Sequence, residues 1–327
     1  MKQNIAITAG GDSGEYSISM KSARMVANHI DKTKYQVYII EIKGSNWNYL
    51  SGENKNIPVD KNDFSLTING EKINFDLVFN MIHGSPGENG KLQGYLDMLA
   101  LPYTTGNAIS SALTFNKAYC NQIVKGSGIA VANHVHLFKK RKFDIDDLMK
   151  RIKLPAFVKP NQGGSSVGMT KVNHLNELEA AINKAFAEDD EILIEEFIKG
   201  REMTCGVLEF QGKIIPLPVT EIISKNEFFD YEAKYTQSMA DEITPANIVE
   251  RQKKLIHDTA SKLYIILNCR GIVRFDFILN EENLWLLEVN TVPGMSDASI
   301  VPQQVHVVGY SLKEFYSMLI EEALRNG

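Results

Sequence analysis

Residues 272–290, IVRFDFILNEENLWLLEVN, consist of two strand-like runs joined by a short polar turn, a pattern that predicts a β-hairpin. If the turn is centred on Glu282, two pairs of polar residues lie opposite each other, and the period-two alternation of strands places both on one face. These pairs are Asp276 with Glu288 and Arg274 with Asn290. The opposite, apolar face comprises Val273, Phe275, Phe277, Leu287 and Val289.

The predicted pairing brings Asp276 and Glu288 together, and two facing carboxylates repel each other unless a cation lies between them. Oxygen ligands from Asp, Glu and Asn suit Mg²⁺, which combines one or two carboxylates with substrate phosphates. The hairpin therefore predicts a magnesium site. The alternative is a solvated polar face on an edge hairpin, with an ion pair between Asp276 and Arg274.

A second feature, AFVKPNQGGSSVGM at residues 156–169, is a strand that ends at Lys159 and runs into a loop rich in Gly and Ser. Such a loop can wrap backbone N–H groups around phosphate oxygens. It lacks the Walker A pattern and continues into an extended segment, so a plain hairpin turn is the alternative. Together with Lys117 and the distant acidic hairpin, the loop indicates an ATP site.

The first hundred residues alternate apolar extended runs with helical patterns, which predicts parallel βαβ units. In residues 91–100 an apolar stripe at helical spacing is expected to pack on the sheet. The stripe comprises Leu92, Tyr95, Leu96 and Leu99.

Two further units follow, and we expect domains at 1–105, 106–197 and 198–327. The second begins with a helical stretch over residues 110–128, with Lys117 in its middle, and continues as a small α+β unit. The third is rich in segments that predict antiparallel strands, with a helix over 246–267 and another at the carboxyl end.

Three loops are candidates for substrate binding. The first strand-to-helix turn, TAGGDSGEYS, is a poor match to a dinucleotide fingerprint, but its position favours a small-molecule pocket that Glu15 faces. His83 lies at the end of another strand, where a structural histidine is the alternative. Residues 226–237, NEFFDYEAKYTQ, have the mixture of aromatic and charged side chains expected of a lid over the reacting site.

Composition excludes several classes of protein. The chain has 327 residues, with 35 Lys and Arg against 40 Asp and Glu, and its mixed charges argue against nucleic-acid binding. No apolar segment approaches the length of about 20 residues that crosses a bilayer, so we expect a cytoplasmic protein without membrane contact. The three cysteines, Cys120, Cys205 and Cys269, are widely spaced and are expected to be buried free thiols.

Six motifs in order resemble the D-alanine:D-alanine ligases of the ATP-grasp fold. They are GGDSGE, HGSPGENGKLQG, KPNQGGSSVGM, DYEAKY, RFDF and EVNTVPGM, and they span nearly the whole chain. The resemblance implies an α/β N-terminal domain with a parallel sheet, followed by two α+β ATP-grasp subdomains, in a homodimer. The sequence departs from the family at Tyr16, where many members carry Arg, and at residues 161–163.

The resemblance also implies the reaction. ATP phosphorylates the carboxylate of one D-alanine and becomes ADP. The amino group of a second D-alanine attacks the acyl phosphate and displaces phosphate, which leaves D-alanyl-D-alanine for peptidoglycan precursor synthesis. Positioning and charge neutralisation would dominate such catalysis.

The resemblance assigns roles residue by residue. Two Mg²⁺ (or Mn²⁺) ions would be held by Asp276, Glu288 and Asn290. Phosphate oxygens would contact Lys117, Lys159 and Lys234. The adenine would lie against Glu195, Glu196 and Ile198, and the ribose against Glu202. The first D-alanine would meet Glu15 and His83, with Ser165 and Tyr235 tying Glu15 to the closed lid. Arg274 and the backbone N–H of Gly294 would stabilise the oxyanion, and Ser299 would bind the carboxylate of the second substrate.

Three rival interpretations remain. A sister ligase would join D-alanine to D-lactate or D-serine, although Tyr235 is typical of members that make the D-alanine dipeptide. A nicotinamide-dependent oxidoreductase would use the first turn, but the broken glycine pattern and the acidic hairpin count against it. A catalytically dead nucleotide-binding module would be expected to lack some motif residues, and none is missing.

Overall fold

A computed structural model describes residues 2–52, 56–224, 240–281 and 283–326. Within these ranges the chain forms three large sheets, each covered by helices, and a small hairpin of two strands. The predicted lid over 226–237, with Lys234 and Tyr235, and the predicted turn centre Glu282 lie outside the described residues.

The N-terminal sheet has the strand order β4-β3-β2-β1-β7. Its strands are β1 (Gln3–Gly10), β2 (Tyr35–Lys43), β3 (Asn46–Leu50), β4 (Asn56–Pro58) and β7 (Leu77–Asn80). β1 lies between β2 and β7 and is parallel to both, which confirms the predicted parallel sheet, while β3 and β4 extend the sheet in antiparallel pairing. The small hairpin consists of β5 (Leu66–Ile68) and β6 (Glu71–Ile73).

Helices α1 (Tyr16–His29) and α2 (Lys91–Met98) cover this sheet. The predicted stripe of α2 is confirmed, because Leu92 and Leu96 are buried in a core that Tyr95 and Leu99 flank. The carboxyl ends of the parallel strands β1 and β7 present residues 11–15 and 81–83 at one edge of the sheet, where open α/β sheets bind ligands.

The second sheet is antiparallel, with the order β11-β10-β12-β9. Its strands are β9 (His134–Phe138), β10 (Ala156–Pro160), β11 (Thr170–Val172) and β12 (Glu191–Glu196). Helices α5 (Ile145–Arg151) and α6 (Leu178–Glu188), the latter preceded by a 3₁₀ turn at Leu175–Glu177, enclose one core with it. The glycine-rich loop connects β10 to β11 across the open edge of this sheet.

The third sheet has seven strands in the order β16-β15-β13-β17-β18-β8, with β14 paired to β13. Its strands are β8 (Ala130–Val131), β13 (Arg201–Phe210), β14 (Lys213–Pro216), β15 (Thr220–Ser224), β16 (Ala240–Ile243), β17 (Ile272–Asn280) and β18 (Asn283–Asn290). The remaining helices are α7 (Glu250–Ile266), α8 (Ile300–Val307) and α9 (Leu312–Asn326). All strand pairs are antiparallel except β18 with β8, so the predicted antiparallel unit is confirmed. The predicted start of α7 at residue 246 was four residues too early.

The predicted helix over 110–128 is wrong in one respect, because Asn116 divides it into α3 (Ala108–Phe115) and α4 (Lys117–Gly126). Asn116 has an extended backbone, and its side chain accepts a hydrogen bond from the backbone N–H of Tyr119. This is an N-cap, and it starts a new helix in a new direction. Lys117 is therefore the first residue of a helix and not the middle of one.

The hairpin β17–β18 has the predicted register at its open end, where Asp276 pairs with Glu288 and Arg274 with Asn290. A β-bulge then shifts the register, so Phe277 pairs with Leu286 and not with Leu287. The prediction for Leu287 was wrong: Leu286 is buried in the core, and Leu287 faces the cavity described below. A single extra residue on one strand is enough to turn the following side chains to the other face.

All three cysteines are buried free thiols, as predicted. Among the helices in the described ranges, none combines the length and apolar character needed to cross a membrane.

Candidate active site

A cavity of about 800 Å³ lies where the glycine-rich loop, β12 and the third sheet meet the first turn of α1. Nine of the predicted site residues line it. They are Glu15, Lys117, Lys159, Ser165, Glu195, Glu196, Ile198, Glu202 and Glu288. A space of this size, bounded by several charged side chains and by apolar ones such as Phe197 and Leu287, is typical of a small-molecule site.

The β17–β18 hairpin contributes a buried ion pair next to this cavity. The Arg274 guanidinium donates to both carboxylate oxygens of Asp276, at 2.9 Å from Nε and 2.7 Å from Nη2. Thr204 on β13 donates its hydroxyl to Asp276 Oδ1 at 2.5 Å. Burial alone would lower the pKa of Arg274, but the neighbouring Asp276 carboxylate outweighs burial and raises it. These hydrogen bonds give Asp276, which is 3% exposed, a fixed orientation.

The alternative interpretation of this hairpin is correct about the ion pair but wrong about its surroundings. β17 lies between β13 and β18, and Asp276 is 3% exposed, so the ion pair is not on a solvated edge hairpin.

The side chains present at the hairpin end fit a divalent cation. The oxygen Oδ1 of Asn290 is buried without a hydrogen-bond partner among the described residues, as expected of an oxygen reserved for a ligand. Within those same residues no cluster of three or more His, Cys, Asp or Glu side chains is arranged to hold a metal. The predicted set has only two carboxylates and one amide, so substrate phosphates would have to complete the coordination.

Glu15 connects the N-terminal sheet to the glycine-rich loop. It precedes α1, and its carboxylate accepts a hydrogen bond from the Ser165 hydroxyl at 2.5 Å. A Cβ atom at Gly164 would lie 2.8 Å from Glu15 Oε2, so a larger residue there would displace the Glu15 carboxylate. The contact brings together two predicted residues that are 150 positions apart in the sequence.

The two lysines approach the cavity from different elements, and their ammonium groups bind different partners. Lys159 on β10 is buried and pairs with Glu195 on β12 at 2.5 Å between Nζ and Oε2. Lys117 at the start of α4 reaches over the glycine-rich loop and donates to the carbonyl oxygen of Gly163 at 2.7 Å. Both ammonium groups therefore flank the loop, as a phosphate site requires.

The predicted adenine and ribose residues lie along β12, the segment after it and β13. Glu195 is held by Lys159 and by the side-chain amide of Asn121, at 3.2 Å. Glu196 accepts from the backbone N–H of Lys153 at 2.8 Å and from the side chain of Asn133 at 3.1 Å. Because both carboxylates already have protein partners, they shape the wall of this pocket, which Ile198 and Glu202 continue.

His83 is buried beside the first turn, although it does not line the main cavity. Burial lowers its pKa, against the opposing effect of the Glu15 carboxylate, so the imidazole is neutral at pH 7. Its Nε2 atom has no hydrogen-bond partner among the described residues. His83 therefore differs from a structural histidine, in which both ring nitrogens are hydrogen-bonded.

Gly294 and Ser299 lie on the turn that follows β18. A Cβ atom at Gly294 would lie 2.7 Å from Ser299 Oγ, and Ser299 is the residue preceding α8. The Ser299 hydroxyl also contacts the Ser296 hydroxyl at 2.8 Å. The predicted site residues that do not line the main cavity are these two and Arg274, Asp276, Asn290 and His83.

One acidic residue of this region was missed by the sequence analysis. Glu88 accepts hydrogen bonds from the backbone N–H groups of Gly84, at 2.7 Å, and Val292, at 3.2 Å. Burial and the Glu15 carboxylate raise the pKa of Glu88 to about 8. The HGSPGENG motif contained the residue, but no local pattern indicates that its partner lies 204 positions away.

Tyr16, where the sequence departs from the family pattern, has a structural role. Its hydroxyl donates to the Glu41 carboxylate at the end of β2, and the Lys43 ammonium lies 5.3 Å from its ring centre. The hydrogen bond to Glu41, together with burial, raises the pKa of Tyr16 to about 12. Tyr16 thus ties the start of α1, next to Glu15, to the N-terminal sheet.

Comparisons with known proteins agree with this geometry. A family model described as D-ala D-ala ligase N-terminus matches residues 4–106, and one described as D-ala D-ala ligase C-terminus matches residues 123–321. A D-alanine--D-alanine ligase of Phocaeicola vulgatus is 46% identical over 322 residues, which cover 98% of this chain and 99% of that protein. One of Parabacteroides distasonis is 45% identical over 327 residues, covering 100% of this chain and 99% of that protein.

Two solved structures have similar folds. The VanG D-Ala:D-Ser ligase from Enterococcus faecalis has a TM-score of 0.88 at 32% identity, covering 99% of this chain and 100% of that one. A D-alanyl-alanine synthetase A from Vibrio cholerae has a TM-score of 0.88 at 29% identity, covering 99% of both chains. These solved structures support the predicted fold of an α/β N-terminal domain followed by ATP-grasp subdomains. The family models and the relatives together show that the chain belongs to the D-alanine:D-alanine ligase family.

Proposed function

We propose that this chain joins two D-alanines to D-alanyl-D-alanine, with ATP as the phosphoryl donor and an acyl phosphate as the intermediate, in the synthesis of peptidoglycan precursors. The observation that carries the proposal is the convergence on one cavity of two lysines, Glu288 of the hairpin end and the Glu15–Ser165 contact. A carboxylate, a triphosphate and a metal ion are the partners that such a set of charges fits.

The nucleotide binds between the second and third sheets. Lys117 and Lys159 hold phosphate oxygens, and Lys234 joins them from the lid. Glu195, Glu196 and Ile198 bound the adenine pocket, and Glu202 faces the ribose. The neutralisation of phosphate charge by fixed cations is supported by the placement of both described lysines next to the glycine-rich loop.

The metal site lies at the hairpin end. Asp276, Glu288 and Asn290 would hold two Mg²⁺ (or Mn²⁺) ions, which when bound neutralise the charge that develops on the transferring phosphoryl group. The unpartnered Oδ1 of Asn290 supports this assignment. Arg274 fixes Asp276 so that its carboxylate needs no reorientation during the reaction.

The first D-alanine binds with its ammonium against Glu15 and its carboxylate near neutral His83. The Ser165 hydroxyl orients Glu15, and Tyr235 continues this contact to the lid. Arg274 and the backbone N–H of Gly294 then stabilise the oxyanion as the second amino group attacks, and Ser299 binds the second carboxylate. The clustering of Gly294 and Ser299 on one turn supports the last two assignments.

The organisation of the protein is part of the proposal. We infer domains at 1–105, 106–197 and 198–327, a homodimer, and a cytoplasmic location where ATP is available and the three buried thiols stay reduced.

The direct test measures phosphate release by the purified protein with ATP and Mg²⁺. Release that requires D-alanine, with L-alanine ineffective, is expected, and identification of the product completes the test. Phosphate release that is independent of D-alanine, or equal with L-alanine, would refute the proposed reaction.

A second experiment separates the dipeptide ligase from its sister activity, since the similar VanG structure is that of a D-Ala:D-Ser ligase. D-Serine or D-lactate is supplied in competition with D-alanine, and the products are separated by mass. We expect D-alanyl-D-alanine to predominate, and a predominant mixed product would identify the sister ligase.

A further inference from the structure

Asn161 lies in the glycine-rich motif, two residues after Lys159, in the segment where this chain departs from the family pattern. Its side chain is fully buried, with 0% exposed surface. The backbone continues the pairing of β10 with β12, because the N–H of Asn161 donates to the carbonyl of Glu191 at 2.9 Å. A buried amide at the mouth of a phosphate loop is costly unless it is hydrogen-bonded, so its partners show what it holds in place.

The Asn161 side chain joins two other elements. Its Oδ1 accepts a hydrogen bond from the backbone N–H of Ala118 at 2.9 Å, and its Nδ2 donates to Glu191 Oε2 at 3.1 Å. The same Glu191 oxygen contacts His136 Nε2 at 2.8 Å. An N–H group can only donate and a carboxylate can only accept, so these two partners allow a single orientation of the amide.

The backbone carbonyl of Asn161 adds a contact to the residue that matters for phosphate binding, because it accepts from the N–H of Lys117 at 3.3 Å. Asn161 therefore holds the first two residues of α4 and lies just beyond the end of β10, two residues after Lys159. Lys117 and Lys159 belong to different elements of the fold, so their separation depends on contacts between α4 and the end of β10, among which are these bonds of Asn161.

We propose that Asn161 is a positioning residue that sets the spacing of Lys117 and Lys159 for the phosphates of ATP, with Glu191 as its support. The inference rests on the proposed function, because it assumes that both lysines bind phosphate. Asn161 itself lies beneath the loop and is buried, so it acts through Lys117 and not by touching the nucleotide.

The test compares Asn161→Ala with the wild type in its affinity for ADP and Mg²⁺, measured by calorimetry, and in steady-state kinetics. Loss of the two buried side-chain hydrogen bonds frees the start of α4, and we expect ADP affinity to fall and KM for ATP to rise by about tenfold. KM for D-alanine should change little, because Glu15 and His83 lie on other elements.

Asn107→Ala is the matched control. Asn107 is also an asparagine whose Oδ1 accepts a backbone N–H at the start of a helix, from Ser110 at 2.9 Å, but it caps α3 away from the cavity. It should lower the midpoint of thermal unfolding to a comparable extent while leaving ADP affinity unchanged. If Asn161→Ala and Asn107→Ala affect ADP affinity equally, Asn161 has only a structural role and the inference is wrong.

A paired exchange tests the amide orientation. Asn161→Asp keeps the acceptor for Ala118 but turns a carboxylate oxygen towards Glu191, so ADP affinity should fall at least as far as in Asn161→Ala. Adding Glu191→Gln restores a donor opposite Asp and should recover most of the affinity. A double variant no better than Asn161→Asp would overturn the assignment.

The outcomes also separate this inference from the function on which it rests. Absence of ADP binding by the wild type would overturn both. Normal ADP binding by the wild type and by Asn161→Ala would overturn only the role of Asn161, while normal binding without dipeptide synthesis would overturn only the proposed reaction.

Discussion

The hairpin end of the third sheet and the N-terminal loops both bring carboxylates to the site, but they hold them in different ways. Asp276 is fixed by Arg274, two residues away on the same strand, and by Thr204 on the adjacent strand. Glu88 is fixed by two backbone N–H groups, one of them from Val292. The first arrangement comes from strand pairing alone, and the second requires that distant parts of the chain have already packed together.

The difference has an electrostatic consequence. Asp276 has a cationic partner, the Arg274 guanidinium, in direct contact. Glu88 is surrounded by protein, with the carboxylates of Glu15 and Glu288 nearby, and its pKa of about 8 keeps it largely protonated at pH 7. We therefore interpret Asp276 as a ligand and Glu88 as a neutral link between the His83 loop and the turn after β18.

The largest effect is expected at the hairpin end. Asp276→Asn preserves the shape of the side chain but removes the negative charge that Arg274 and the metal site need, so turnover should fall by about a hundredfold or more. The measurement is the rate of dipeptide formation at saturating ATP and D-alanine, with circular dichroism to verify that the fold is retained.

Asp258→Asn is the control for this substitution. Asp258 forms an exposed ion pair with Lys254 on α7, where such pairs contribute little. Its turnover should equal that of the wild type. Near-normal turnover of Asp276→Asn would show that the hairpin does not carry the metal site.

The next largest effect tests the register of the same hairpin. Both leucines border the cavity, but the bulge after Asp276 makes Leu286 a core residue, 4% exposed, and leaves Leu287 only partly buried. Leu286→Ala should therefore lower the free energy of unfolding by about 2–5 kcal/mol, as large-to-small core substitutions do. Leu287→Ala should cost clearly less in chemical denaturation, and the reverse order would mean that the bulge is absent.

These residues show how far the sequence alone could lead. The pairing of Asp276 with Glu288 was predictable because strand alternation converts a register directly into geometry. The bulge was not predictable, because Leu286 and Leu287 are chemically identical and only packing against the core of the third sheet decides which one is buried.

The other features that the sequence did not predict also depend on packing between distant parts of the chain. The division of the predicted helix at Asn116 depends on a cap that competes with a continuous helix, and tertiary packing selects the cap. Ser165 has a left-handed backbone conformation, with φ 55°, which serine does not favour. In this conformation its hydroxyl contacts the Glu15 carboxylate. The resemblance assigned Ser165 and Glu15 to one network. No local sequence pattern predicts their contact, because the two residues are 150 positions apart.

Ser165→Ala tests this long-range contact, with a smaller expected effect than at Asp276. Loss of the hydrogen bond to the Glu15 carboxylate leaves Glu15 less well oriented for the substrate ammonium, so KM for D-alanine should rise by about tenfold. Ser317→Ala is the control, since its hydroxyl donates to the Lys313 carbonyl on the outer side of α9, away from the cavity. An unchanged KM would mean that Ser165 does not orient Glu15.

The smallest effect is the pH dependence at Glu88. A carboxyl whose pKa is raised in the folded state binds its proton more tightly there than in the unfolded chain, so its contribution to stability decreases as pH rises towards about 8. Gln resembles the protonated acid and does not ionise. In protein free of metal and nucleotide, the thermal midpoint of Glu88→Gln relative to the wild type should therefore be higher at pH 9 than at pH 6.

Glu314→Gln is the control of opposite sign, because hydrogen bonds from Ser311 lower the pKa of Glu314 and its contribution is lost only in acid. Its difference from the wild type should not change between pH 6 and pH 9, and an equally flat result for Glu88→Gln would show that Glu88 is already ionised at pH 6.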